Sequence, residues 1–252
     1  MTSVRFVAIG DSFTEGVGDE RPDGSPRGWA DLTAEGWATA LEEPIQYANL
    51  AIRGRLAWPV VDEQLEDALA LRPTHLSFNG GGNDMLRPGT KTERIVDAFV
   101  TVARRCQEEG VTPILLAGAD PSDGLPLSRV IRRRGDALTA AVTQRMRRTD
   151  GIVWAVNWTD ERLRDPAFWS PDRLHMNARG HHRVAARVLD ALGLPVPADW
   201  WELGDPHEPH LTNREYYRAH VTPWVRRRLT RRSSGDGRLP KFGAWTTIDP
   251  AA

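Results

Sequence analysis

The chain has 252 residues, 40% hydrophobic and 27% charged, which is enough apolar material for one folded core and too much for disorder throughout. A net charge of −1 gives no reason to expect a nucleic-acid partner, and a single cysteine, Cys106, excludes an intramolecular disulfide. Nothing approaches the ~20 apolar residues of a membrane span, and no apolar stretch of signal-peptide length precedes Val4, so a cytoplasmic protein is expected.

In chain order, residues 4–9 read as a strand and run directly into Gly10-Asp11-Ser12-Phe13-Thr14-Glu15-Gly16. The loop 17–28, rich in Gly, Pro and charge, is expected to form a mobile rim. A helix over 29–41 and a strand over 45–50 lead into Asn49-Leu50-Ala51-Ile52-Arg53-Gly54. A helix over 60–71, ended by Pro73, and a strand over 75–78 lead to Gly81-Gly82-Asn83-Asp84. The helix over 92–109 carries Cys106, which reads as a buried structural thiol. A strand over 111–117, a helix over 128–148 and a strand over 152–156 follow. Asp172-Arg173-Leu174-His175 then precedes a last helix over 178–192, stopped by Gly193.

Five strands separated by helices of this length imply parallel pairing with right-handed crossovers. The strands hardly alternate, as expected when both faces are covered. The predicted architecture is α/β: a three-layer α/β/α sandwich, flavodoxin-like, with a five-stranded parallel sheet. Ligands of such sheets sit beyond the carboxyl ends of the strands. Ser12, Gly54 and Asn83 follow the first three strands, and His175 lies in the loop entering the last helix.

A serine hydroxyl attacks only if a base takes its proton, and His175 is the candidate base, with a free pKa near ~6.5. Asp172, three residues earlier, would accept from Nδ1–H and fix the tautomer. Asp11 reads as a loop brace, as do Asn49 and Asp84. His181, inside the last helix, reads as structural, and Arg53 as a surface side chain. Trp29, Trp58 and Trp169 fall near site loops, with core packing the plainer reading of each. The loop after the first strand lacks the Gly patterns of dinucleotide and nucleotide-triphosphate sites, and neither cofactor nor metal is expected.

These four blocks together resemble the SGNH (GDSL-type) hydrolases, named for the Ser, Gly, Asn and His they carry, over roughly residues 4–192. The resemblance implies the SGNH hydrolase fold and a catalytic set of Ser12, Asp172 and His175. It implies an oxyanion hole from the backbone N–H groups of Ser12 and Gly54 and the side-chain amide of Asn83. The activity implied is hydrolysis of a carboxylic ester or thioester through a Ser12 acyl-enzyme, with a small-molecule ester as substrate. Acyl transfer to a sugar or alcohol, and a non-catalytic binding module on the same scaffold, are the alternatives.

The domain reading is 1–194 for the esterase unit and 195–252 for an extension, partly helical or disordered. Prolines at 195, 197, 206 and 209 oppose a helix there, and a short helical piece is expected around 212–220. Residues 223–241 carry seven basic side chains against one acidic. This run reads as a solvated terminus, with docking on the chain's own acidic surface and contact with an anionic membrane as alternatives.

Overall fold

A computed structural model describes residues 3–201, 212–222 and 233–251. The apolar runs form β1 (Arg5–Ile9), β2 (Ile45–Asn49), β3 (His75–Asn79), β4 (Thr112–Ala117) and β5 (Val153–Val156). A sixth strand, β6 (Phe242–Ile248), completes one sheet in the order β5-β4-β3-β1-β2-β6. The first five strands pair in parallel, and β6 runs antiparallel along β2. Without β6 this is the flavodoxin-like order, with its switch point between β1 and β3. The nucleophile candidate leaves β1 at that switch point.

The period of two along β1 divides the core. Phe6 and Ala8 enter one apolar cluster, with Trp29, Tyr47, Val184 and Leu189. Val7 and Ile9 enter the other, with Phe78, Phe99, Val102 and Val142. The first cluster is covered by α2 (Trp29–Leu41) and α8 (Ala178–Ala191). The second lies under α6 (Thr92–Glu108), α7 (Ser128–Met146) and a helical stretch from Ala57 to Ala70. Cys106 belongs to the second cluster, fully buried, and burial pushes its thiol up to about 12. Among the described residues no helix is long and apolar enough to cross a membrane.

Two elements depart from the sequence expectation. The helix expected over 60–71 starts earlier, as α3 (Ala57–Val60), passes through a π-helical turn (Val61–Leu65), and ends as α4 (Glu66–Ala70). Pro59 sits in its first turn, where a missing N–H costs little. The extension expected to be partly helical or disordered contributes the strand β6. Its sequence, Phe-Gly-Ala-Trp-Thr-Thr-Ile, has β-formers but little alternation, and its pairing comes from the open edge of β2. The helical piece near 212–220 is present as α9 (Asn213–Tyr216) and a following π turn, with Thr212 and Glu215 forming a capping box. Of the basic run 223–241, residues 223–232 lie outside the described residues.

Candidate active site

Gly10 leaves β1 and the chain turns at once into α1 (Ser12–Glu15), four residues long, with Ser12 its first residue. Asp11 caps it by accepting from the Phe13 N–H at 3.1 Å. Gly16 closes it at φ 96°, a left-handed conformation, and a Cβ there would stand 2.3 Å from the Arg27 carbonyl oxygen. The turn is also held from a distance. Gln64, only 3% exposed on the π turn, accepts from Gly10 N–H at 2.9 Å and donates to Gly10 C=O at 3.0 Å. Asn49 donates to Thr14 C=O at 2.9 Å and accepts from Ala51 N–H at 3.0 Å, so it braces two loops at once.

The Gly54 loop is fastened to the same turn. Glu15 accepts from the Arg53 backbone N–H at 2.7 Å and from its guanidinium Nε at 2.8 Å. Arg53 is therefore a partner of the turn that carries Ser12 and not the free surface side chain expected. Asp84 braces its neighbourhood as expected, accepting from Ala57 N–H at 3.0 Å at the start of α3. Asn83 lies in α5 (Gly82–Met85), and both donor positions of its amide are engaged, with Asp11 Oδ2 at 2.9 Å and Arg55 C=O at 3.0 Å.

The candidate acid–base pair is built from its own short loop. Asp172 Oδ2 meets His175 Nδ1 at 2.5 Å, and Asp172 Oδ1 accepts from the backbone N–H groups of Leu174 (3.0 Å) and His175 (2.9 Å). Burial works to raise the Asp172 carboxyl, but the hydrogen bond and charge of His175 and the two N–H donors outweigh it and hold it at about 2. Asp172 thus stays ionised while it orients the imidazole. Arg173 closes the loop at φ 59°, and its guanidinium lies 4.2 Å from the ring centre of Tyr216 on α9.

Ser12, Asn83 and His175 line one cavity of about 110 Å³, together with Asp11, Phe13 and Gly82. Much of the remaining lining is apolar, including Met85, Leu86, Phe99, Leu138, Val142, Trp154 and Trp158. Gly54 is not among the residues that line this cavity; its neighbour Arg53 is bound to Glu15 at the end of α1. Burial pushes the Asp11 carboxyl up to about 6, against the pull of Phe13 N–H, the charge of His175 and the Asn83 amide.

Of the three tryptophans singled out, Trp169 lines the cavity, Trp29 is fully buried in the core, and Trp58 donates to Arg94 C=O at 2.8 Å. The loop 17–28 is cross-braced, with Arg27 donating twice to Asp19 (2.9 and 3.1 Å) and Arg21 to Asp31 at 3.3 Å. His181 is structural: Nδ1 accepts from Trp29 N–H at 3.1 Å, Nε2 faces Val17 C=O at 3.3 Å, and burial pulls it down to about 4. Sequence reading missed Gln64, Glu15, Trp154 and Trp158. Gln64 had a usable signal: it sits in step with Val60 and Ala68, so a polar side chain falls on the buried stripe of its helix.

With this geometry in place, the comparisons agree with one another. The profile of the GDSL-like Lipase/Acylhydrolase family matches residues 8–183. The chain belongs to that family, and so to the ester-cleaving hydrolases. Its fold is similar to a catalytic mutant of Axe2, an acetylxylan esterase from Geobacillus stearothermophilus, at 21% identity and TM-score 0.65, covering 77% of this chain and 97% of that one. It is also similar to the lipase Lip_vut3 from a goat rumen metagenome, at 16% identity and TM-score 0.63, covering 75% and 97%. The psychrotrophic esterase EstA from Pseudoalteromonas sp. aligns at 18% identity and TM-score 0.59, covering 75% and 96%. No curated protein matches the chain significantly.

Proposed function

We propose that the protein hydrolyses carboxylic esters through a Ser12 acyl-enzyme. The observation that carries this reading is that Ser12 and His175 line one cavity while Asp172 holds His175 Nδ1 at 2.5 Å. Ser12 Oγ attacks the ester carbonyl carbon as His175 Nε2 takes its proton. Asp172, ionised, stabilises the imidazolium that forms. The tetrahedral oxyanion is held by the N–H groups of Ser12 and Gly54 and by the Asn83 amide. For Asn83 this means that one N–H passes from Asp11 or Arg55 to the oxyanion. His175 then protonates the departing alcohol, and a water activated by His175 releases the acid and frees Ser12.

The acyl group occupies the cavity toward Met85, Phe99 and Trp154, whose apolar surface and modest volume suit a short chain. The test is hydrolysis of p-nitrophenyl esters from acetate to palmitate by wild type and Ser12→Ala, with a fluorophosphonate probe to mark the nucleophile. Activity that peaks at short acyl lengths, vanishes in the variant and coincides with labelling at Ser12 supports the reading. Wild-type turnover by Ser12→Ala would falsify it.

A further inference from the structure

We propose that Lys241 is a positioning residue for the nucleophile, and that the segment 233–248 is part of the active-site scaffold. This rests on the assignment of Ser12 as nucleophile. The family match ends at residue 183, so Lys241 and its segment lie outside the matched part of the chain.

Basic residues here are almost all arginine, and lysine occurs only at positions 91 and 241. Lys241 immediately precedes β6, and its side chain is 11% exposed. Its ammonium donates to Glu15 C=O at 2.7 Å, Arg27 C=O at 2.5 Å and Pro26 C=O at 3.2 Å. It also pairs with Asp31 Oδ1 at 2.8 Å, and the Asp31 side chain is 3% exposed. Four oxygens from three separate segments therefore converge on one cation. A compact ammonium fits that cluster, whereas a planar guanidinium is wider and sends its donors outward in one plane.

Glu15 is the last residue of α1, and Ser12 is the first. A four-residue helix does not hold itself together. Its carbonyl end is tied from outside, Thr14 C=O by Asn49 and Glu15 C=O by Lys241. The same ammonium joins α1 to residues 26 and 27, where Gly16 and Gly28 pack backbone on backbone. Pairing of Phe242 opposite Asn49 fixes where Lys241 enters. One turn earlier, Gly235 packs on the Arg53 carbonyl, where a Cβ would stand only 2.1 Å from that oxygen. Ser233 Oγ stands 2.4 Å from the place a Gly54 Cβ would take. One segment thus touches both the turn that carries Ser12 and the loop that carries Gly54.

The test compares wild type, Lys241→Met and the double variant Asp31→Asn with Lys241→Met. Methionine keeps the length and removes the ammonium; the second change removes the buried carboxylate charge that then keeps, among the described residues, only the Arg21 guanidinium and the Tyr47 hydroxyl as partners. Three quantities are read: kcat and KM on p-nitrophenyl acetate, the rate of fluorophosphonate labelling at Ser12, and the thermal midpoint. Lys241→Met is expected to lower kcat and the labelling rate by ~10- to 100-fold with KM within about 2-fold, the effect of a misplaced reacting group. The double variant is expected to recover the thermal midpoint but neither rate. Recovery of both rates along with the midpoint overturns the proposal, because Lys241 is then merely structural. Wild-type rates in either variant overturn it as well. If Lys241→Met does not fold, the double variant alone decides between these outcomes. A wild type that cleaves the ester without labelling at Ser12 overturns the nucleophile assignment itself, and this inference with it.

Discussion

The two halves of the candidate site are held in opposite ways. The hydrogen bonds of the candidate acid–base pair are local: Asp172 accepts from Leu174 and His175 and orients the imidazole, all within four residues. The nucleophile turn is assembled from far away, by Gln64 on the π turn, Asn49 at the end of β2, Arg53 beside Gly54 and Lys241 before β6. The loop of His175 is fastened to the rest of the chain through its flanks, Ser170 on Gly18 C=O and Arg173 on Asn213 and Tyr216, and not through the Asp172–His175 pair itself. The turn of Ser12 is gripped directly by side chains brought to it by the sheet, so its own geometry depends on elements that meet only when the sheet has formed.

The comparison yields predictions of graded size. Replacing His175 by Ala should lower kcat by about 10⁴-fold or more with the fold intact, since the ring is only partly buried and Asp172, the partner it leaves, keeps two backbone N–H donors. Asp172→Asn should fall by about 10⁴-fold, because the amide still accepts the two backbone N–H groups but no longer stabilises the imidazolium. Asn83→Ala should lose ~10²–10³ in kcat, measured on the same ester. Gln64→Leu should break the contrast open. It leaves Gly10 N–H buried without a partner while Gly10 C=O keeps the Ile52 N–H at 3.1 Å, an expected loss of about 1–3 kcal/mol in urea unfolding, with kcat falling although Gln64 lies outside the cavity lining. An unchanged stability in that variant would show the Ser12 turn to be held by local bonds, as the Asp172–His175 pair is.

The smallest effect is in pH. His181, held near 4 by burial, favours the folded state fully above its free value of 6.5, and that contribution is lost as pH falls toward 4. Asp11, raised to about 6 from 3.8, acts in the opposite direction, withdrawing stability as pH rises through the same interval. The two slopes oppose each other in wild type. His181→Gln should therefore show a steeper decline in thermal midpoint from pH 4 to 6 than wild type, and a profile parallel to wild type would exclude burial of a neutral His181 as its cause.

What sequence reading recovers follows the same division. The five parallel strands and the helices between them are legible because both-face burial and helical periodicity are local patterns. Ser12, Asn83, Asp172 and His175 are legible because short blocks carry them, and the structure brings Ser12, Asn83 and His175 to one cavity. Arg53 was misjudged because its partner, Glu15, lies 38 residues away, a distance no local pattern spans. Trp154 and Trp158 were overlooked because they come from β5 and the turn after it, and only folding carries them into the lining of the cavity that Ser12 shares. β6 was missed because its order is imposed by β2, not by its own alternation.

The π turn at Val61–Leu65 has a consequence for chain length. A π turn holds one residue more than an α turn, so such a stretch is an insertion that its flanking helices absorb without losing their own faces. Deleting one residue there would let the helix run regularly from Ala57 onward, with both ends still able to pack. The change would instead be felt at Gly10, because the glutamine that grips it would rotate away. Natural variation by a single residue at this point would therefore alter how firmly the nucleophile is held while the helix itself survives.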